Sequence, residues 1–322
     1  MDSWPTLTGQ RSQSIEDRMA APQGAVLPEP GAHARFVVLR IDARGTARAA
    51  RAATAMPELV RDVAAADPMA GLVANVGLGA SFWDVVSPTR RPGGLRPFRA
   101  LDVDGRRAPA TGGDLFVHVT SARADLNAAV VLQVMAEVGD VATVLEDVQG
   151  FRYLDSRDLT GFIDGTENPT GDGRADAALL GDEDATFAAG SYVFTQRYVH
   201  DLRAWQALGV SEQEGVIGRR KSDSAELPAD EKPATAHISR VVIEENGAEL
   251  EILRHSMPYA TAAEAGLFFV AYTRDLSIPD RMLGLMMGAA TDGLHDHLMS
   301  YTRAVSGATF FVPSLEVLAE LA

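Results

Sequence analysis

Short β-branched runs separated by helical stretches set the terms for this chain, because each run needs a partner strand on at least one side. The first, Ala34 to Ile41 (ARFVVLRI), has the composition of a central strand. Ala43 to Ala66, rich in Ala, Arg and Asp, reads as an amphipathic helix broken near Pro57. Gly71 to Val86 predicts a second strand that runs through a glycine-punctuated turn into a short helix. Arg90 to Gly113, with its prolines and glycines, is a long connection. Asp114 to Thr120 is a third strand, Ala124 to Val138 a helix, and Ala142 to Tyr153 a fourth strand.

The order β-α-β-β-α-β is the ferredoxin-like pattern, and the second half repeats its rhythm. Gly190 to Tyr198 predicts a strand and Asp201 to Leu208 the start of a helix. His237 to Glu244 and Glu249 to Leu253 read as paired strands around Asn246-Gly247, a strong hairpin signal. Ala265 to Thr273 is an apolar strand, Ile278 to Gly288 a Met-rich helix, Asp292 to Val305 a further helix, and Thr309 to Val312 a last strand. The expected architecture is α+β: two ferredoxin-like halves divided near Gly150, with antiparallel sheets facing each other and peripheral helices. Residues 34–150 form the first half and 151–322 the second. Residues 1–33, polar and without an apolar core region, read as a disordered arm and not a leader peptide. The cytoplasm is then the default compartment.

The 322 residues include no cysteine, which excludes disulfides, zinc–thiolate sites, iron–sulfur clusters and thiolate-held haem. A net charge of −15 argues against a nucleic-acid partner, and no apolar run approaches the length of a membrane span. Seven histidines are present without metalloprotease spacing. His295 and His297, two apart in an expected helix, would point to different faces.

The most specific stretch is Gly161-Phe162-Ile163-Asp164-Gly165-Thr166-Glu167-Asn168-Pro169. It sets a carboxylate at the end of an apolar run, follows it with a glycine that permits φ > 0, and forbids helix continuation with Asn-Pro. A lone Asp-Gly is most often a solvated turn; the nine-residue string is more specific. It resembles the GxxDG signature of dye-decolourising peroxidases, B-type, which are bacterial haem enzymes. The resemblance extends from about Phe36 to Pro313.

That resemblance implies one haem b per chain, sitting mainly in the C-terminal half, and it implies roles for particular residues. His237, alone as well read as a surface residue, matches the proximal iron ligand, with Asp296 as the carboxylate behind it and Asp292 the alternative. Asp164 and Arg254 match the distal acid and cation. Ser256 stands in the distal pocket where such proteins usually carry asparagine, and its hydroxyl offers less than an amide. Gly165, Thr166 and Glu167, with Arg219 of the Ile217-Gly218-Arg219-Arg220-Lys221 block, match cofactor-binding positions; Arg219 would reach a haem propionate. Phe269, with Leu267, Phe268, Met282, Met286 and Met287, would line an apolar pocket.

The implied activity is reduction of hydrogen peroxide through a ferryl intermediate, with small organic donors such as dyes and phenolics oxidised one electron at a time. Tyr192, Tyr198, Trp205 and Tyr259 are candidates to relay electrons. The resemblance further implies a homo-oligomer; packaging in an encapsulin shell, which some such proteins reach through a C-terminal tail, is not expected for a sequence ending Leu318-Ala319-Glu320-Leu321-Ala322. The alternative is a protein that stores or transfers haem, for which Asp164 and Arg254 would have no use.

Overall fold

The computed structural model describes residues 20–321. Ten strands make one antiparallel sheet: β1 His33–Ile41, β2 Val73–Leu78, β3 Leu115–Ser121, β4 Ala142–Phe151, β5 Ser191–His200, β6 Leu253–Arg254, β7 Met257–Ala260, β8 Ala265–Thr273, β9 Thr302–Ala304 and β10 Ala308–Val312. The path across it is β6-β8-β5-β10-β2-β3-β1-β4, with β7 also paired to β8 and β9 to β5. On that path, with β7 and β9 set aside, each half places its four strands in the order 4-1-3-2, the ferredoxin-like arrangement. Among the described residues, strand pairing between the halves is confined to one register pair, Phe311 with Leu78.

Alternation along each strand gives two kinds of face. Phe36, Phe116, Val193, Phe268, Val270, Tyr272 and Phe310 point into a core between the two half-sheets. There the Phe36 and Phe268 rings stack with centroids 4.6 Å apart. On the outer face of the first half, Val37, Leu39, Val117 and Val119 share a buried cluster with Ala49 and Ala53 of α1 (Thr46–Thr54), Val63 of α2 (Met56–Ala64), Phe82 and Trp83 of α3 (Ala80–Val86), and Val130 and Val134 of α4 (Ala124–Val138). Pro57 occupies the first turn of α2, where its missing N–H is harmless.

In the second half the helices are α5 (Gly173–Ala178), α6 (Leu202–Gln206), α7 (Val210–Ile217), α8 (His237–Val241), α9 (Ser277–Met287) and α10 (Leu315–Ala319). Among the described residues no helix is long and apolar enough to cross a membrane.

Three expectations fail locally. The disordered arm expected at 1–33 lies outside the described residues up to position 19, but from residue 20 the chain is packed. Gln23 is buried and bonds Val76 N–H (2.9 Å), Val76 C=O (3.1 Å) and Pro313 C=O (3.0 Å), and Val26 is fully enclosed. Those bonds cross the seam where strand pairing between the halves is thinnest.

The strand expected at His237 to Glu244 starts instead as helix α8. Buried Arg240 donates to Leu285 C=O of α9 and to Asp292, so tertiary contacts override the β-branched composition. Only Glu244–Glu245 and Ala248–Glu249 pair around Asn246-Gly247, apart from the main sheet.

The helix expected over 292–305 is a loop, a single 3-10 turn (His297–Ser300) and β9. Asp292 and Asp296 each accept an N–H two residues on, from Leu294 at 3.0 Å and Leu298 at 2.8 Å. Such bonds compete with a helix.

Candidate active site

A deep pocket opens on the outer face of the C-terminal sheet and encloses about 1430 Å³ of space unfilled by atoms, part of it open to solvent. Its floor comes from alternate residues of β5 (Phe194, Gln196, Tyr198, His200) and from Leu267 and Phe269 of β8. Met282 and Met286 of α9 form an apolar wall, His237 and Ile238 of α8 a second, and residues 162–167 with Ile217 and Arg219 a third. Of the expected lining residues, Phe268 and Met287 point away into buried clusters.

The Asp164 turn is built as its sequence suggests. Phe162 is buried edge-on against Trp205, with ring centroids 6.1 Å apart, which anchors the apolar run. Asp164 N–H donates to Ser156 C=O at 2.9 Å, and Gly165 takes φ +81°, a left-handed value that suits glycine. Gly165 N–H donates to Asp164 Oδ1 at 2.7 Å. The Asn168 side chain then holds the neighbouring strand: its Nδ2 donates to Arg254 C=O at 2.8 Å and its Oδ1 accepts Arg254 N–H at 3.0 Å. Arg254 Nη1 stands 3.6 Å from Asp164 Oδ1, both side chains mostly shielded. That separation is an ion pair without a hydrogen bond.

On α8, His237 Nδ1–H donates to Asp296 Oδ2 at 2.6 Å. Asp296 is fully buried, and its other oxygen accepts Leu298 N–H. The imidazole is thereby fixed as the tautomer whose Nε2 carries the lone pair, and Nε2 makes no hydrogen bond among the described residues. Asp292, the alternative to Asp296, instead pairs with Arg240 at 2.7 Å.

At the rim Arg219 donates to Ser224 C=O at 2.6 Å and to Glu167. Burial draws its guanidinium below the ordinary value, Glu226 opposing and Arg254 adding to that effect. Thr166 is exposed beside it. Ser256 does not line this pocket. Its Oγ accepts Val270 N–H at 3.2 Å, and it borders a smaller adjoining cavity that also reaches Asp164, Gly165, Thr166 and Arg254. Of the aromatic candidates, Tyr198 lines the pocket and donates to Gln196 at 2.6 Å, while Trp205 lies behind Phe162.

Two features escaped the sequence reading. His200, one of the seven histidines and not singled out by any motif, is enclosed in the pocket wall with Nδ1 2.8 Å from Thr302 Oγ1 and Nε2 3.2 Å from Asp158. Burial pushes the Asp158 carboxyl up, but bonds from His200 and Thr160 outweigh it and hold the group below its ordinary value. Alternation from Gln196 through Tyr198 to His200 was the available signal. The second feature is Asn168, whose part in the turn needs a partner 86 residues away. Among the described residues no cluster of three or more His and carboxylate groups could hold a bare metal ion.

The family model described as Dyp-type peroxidase, N-terminal, matches residues 23–152, and that described as Dyp-type peroxidase, C-terminal, matches 155–317. The chain is 38% identical over 308 residues to the dye-decolorizing peroxidase of Mycobacterium tuberculosis, covering 93% of this chain and 91% of that protein. DyPB from Rhodococcus jostii RHA1 superimposes with a TM-score of 0.89 at 40% identity, covering 93% of this chain and 97% of that one. A dye-decolorizing protein from V. cholerae gives 0.87 at 40% identity, covering 92% and 99%. A variant of the R. jostii protein was solved in complex with heme.

Proposed function

The chain belongs to the Dyp-type peroxidase family, and from that premise we propose that it binds one haem b in the pocket above β5 and β8 and reduces hydrogen peroxide at the expense of small organic donors. One observation carries the reading. His237, backed by buried Asp296 and with Nε2 free among the described residues, shares a pocket with Asp164 and Arg254, which stand 3.6 Å apart.

The residues fit the group. Leu267, Phe269, Met282 and Met286 offer apolar surface to a flat macrocycle, and His237 Nε2 offers the neutral donor that iron takes. The Asp296 bond holds the ring's orientation and tautomer and makes Nε2 a stronger donor. Arg219, planar and fixed at the rim, suits a carboxylate tail. When bound, haem supplies an iron centre that exchanges electrons with peroxide and with donors.

The protein's own share is proton handling and charge. Asp164 takes a proton from the near oxygen of peroxide and returns it to the far oxygen, so that water can leave. Arg254 stabilises negative charge that develops as the O–O bond opens, in a site largely shielded from water. Gly165 N–H keeps the Asp164 carboxylate oriented for both transfers.

The test mixes haem-loaded protein with stoichiometric peroxide and follows absorbance for wild type, Asp164→Ala and Arg254→Ala. Rapid oxidation in wild type that either variant slows by about 10²-fold or more supports the reading. Haem held through His237 with no reaction in wild type would overturn it and favour haem storage or transfer.

A further inference from the structure

We infer that Asn168 is a positioning residue that sets the distance between Asp164 and Arg254, and that it works from behind the pair, through the Arg254 backbone. The inference rests on the distal roles proposed for those two residues.

The two side chains do not fix each other. Their closest approach, 3.6 Å, is beyond hydrogen-bond length, and the Arg254 guanidinium makes no hydrogen bond among the described residues. Something else must hold them in range. Arg254 ends β6, a two-residue strand whose register with β8 pairs Arg254 with Ala271. On its other edge the Asn168 carboxamide both donates to Arg254 C=O and accepts Arg254 N–H. That is the pair of bonds a further strand would supply.

The same residue is tied back to the acid. Asn168 N–H donates to Gly165 C=O at 3.0 Å, and Gly165 N–H donates to Asp164 Oδ1 at 2.7 Å. A short chain of bonds thus runs from the Asp164 carboxylate through Gly165 and Asn168 to the Arg254 backbone. Pro169, itself buried, biases the Asn168 backbone toward extended conformations. A direct bidentate pair would have occupied both carboxylate oxygens and the guanidinium fork. Held from behind, Asp164 keeps one oxygen without a hydrogen bond among the described residues, and Arg254 keeps its donors for an incoming anion.

The experiment is a double-mutant cycle read by fluoride binding to the ferric, haem-loaded protein, followed by absorbance and needing no turnover. Asn168→Ala should weaken fluoride roughly tenfold in the wild-type background and change it little in an Arg254→Leu background. Haem content and the spectrum of the resting protein should stay unchanged. Asn168→Asp keeps an acceptor for Arg254 N–H but cannot donate to Arg254 C=O; it should weaken fluoride as well, and it serves if the alanine variant folds poorly. The same fold-change in both backgrounds, or no change in either Asn168 variant, would overturn the inference. Peroxide turnover of wild type is recorded alongside. Its absence with the cycle intact would sink the peroxidase reading and leave the positioning role standing.

Discussion

The N-terminal sheet turns Val37, Leu39, Val117 and Val119 toward its helices, whereas the C-terminal sheet turns Phe194, Gln196, Tyr198 and His200 toward the pocket. Both halves follow the same 4-1-3-2 strand path, so topology does not decide which one hosts chemistry. The connections do. In the first half, residues 42–72 fold into α1 and α2, which with α4 close on the sheet through Ala49, Ala53, Val130 and Val134. In the second, residues 201–252 carry α6, α7, α8 and a hairpin, and His237 and Arg219 come from this longer excursion. A sheet face carrying Gln, Tyr and His at every second position is a face that its helices do not fully cover.

One pair of substitutions should separate the two halves most widely. Arg254→Leu should slow the reaction with peroxide by about 10²–10³-fold while leaving the unfolding midpoint nearly unchanged. Leu39→Ala, at a fully buried position of the first half, should cost about 2–5 kcal/mol of stability. Its peroxide rate per bound haem should match wild type. Stopped-flow rates and urea unfolding on both variants decide this. If Leu39→Ala slows peroxide as much as Arg254→Leu does, the division between packed half and reactive half is wrong.

Sequence pattern and structure agree best where packing is local to one half. Strands β1 to β4 and helix α4 were readable because their periodicity is strong and their packing local to one half. The Asp164 turn was readable because glycine and Asn-Pro dictate its backbone. The run from Ala236 to Val241 misled because its β-branched residues are made helical by contacts with α9 and Asp292, distant in sequence. The choice of Asp296 over Asp292 could not be made firm from spacing for a related reason: both cap local turns, and the fold shows that Asp296 meets His237. Residues 20–33 looked disordered because nothing in their composition announces that Gln23 will fill a gap between β2 and the segment after β10.

Within the C-terminal half the two aspartates should differ in the same way. Asp296→Asn removes the carboxylate behind His237, and haem affinity or peroxide reactivity should fall by about 10–100-fold. Asp292→Asn acts on an ion pair with Arg240 whose carboxylate is 42% exposed, and both readouts should stay within about twofold of wild type. Equal losses in the two variants would mean that the loop as a whole, and not the Asp296 bond, supports the ligand.

The smallest effect lies between the halves, where each contributes a histidine to a shared interior. His118 of β3 is fully buried, its Nδ1 2.8 Å from the Tyr272 hydroxyl and its Nε2 unpartnered. His255, between β6 and β7, is as deeply enclosed. Burial, with Arg174 adding to it, pushes His255 down to about 3, and burial with His255 beside it holds His118 well below the ordinary value. Both stay neutral in the native state while the unfolded chain takes up protons below about pH 6.5. Their contribution is therefore fully present above that pH and is lost as pH falls through it, by about 1.4 kcal/mol per pH unit for each histidine. Between pH 6.5 and 5, above the range in which most carboxylates titrate, the decline in urea stability should be visibly shallower in His118→Phe than in wild type. An unchanged slope would remove His118 from the account. A shallower slope with peroxide rates unaltered would show that acid loosens the contact between the halves without acting through the pocket.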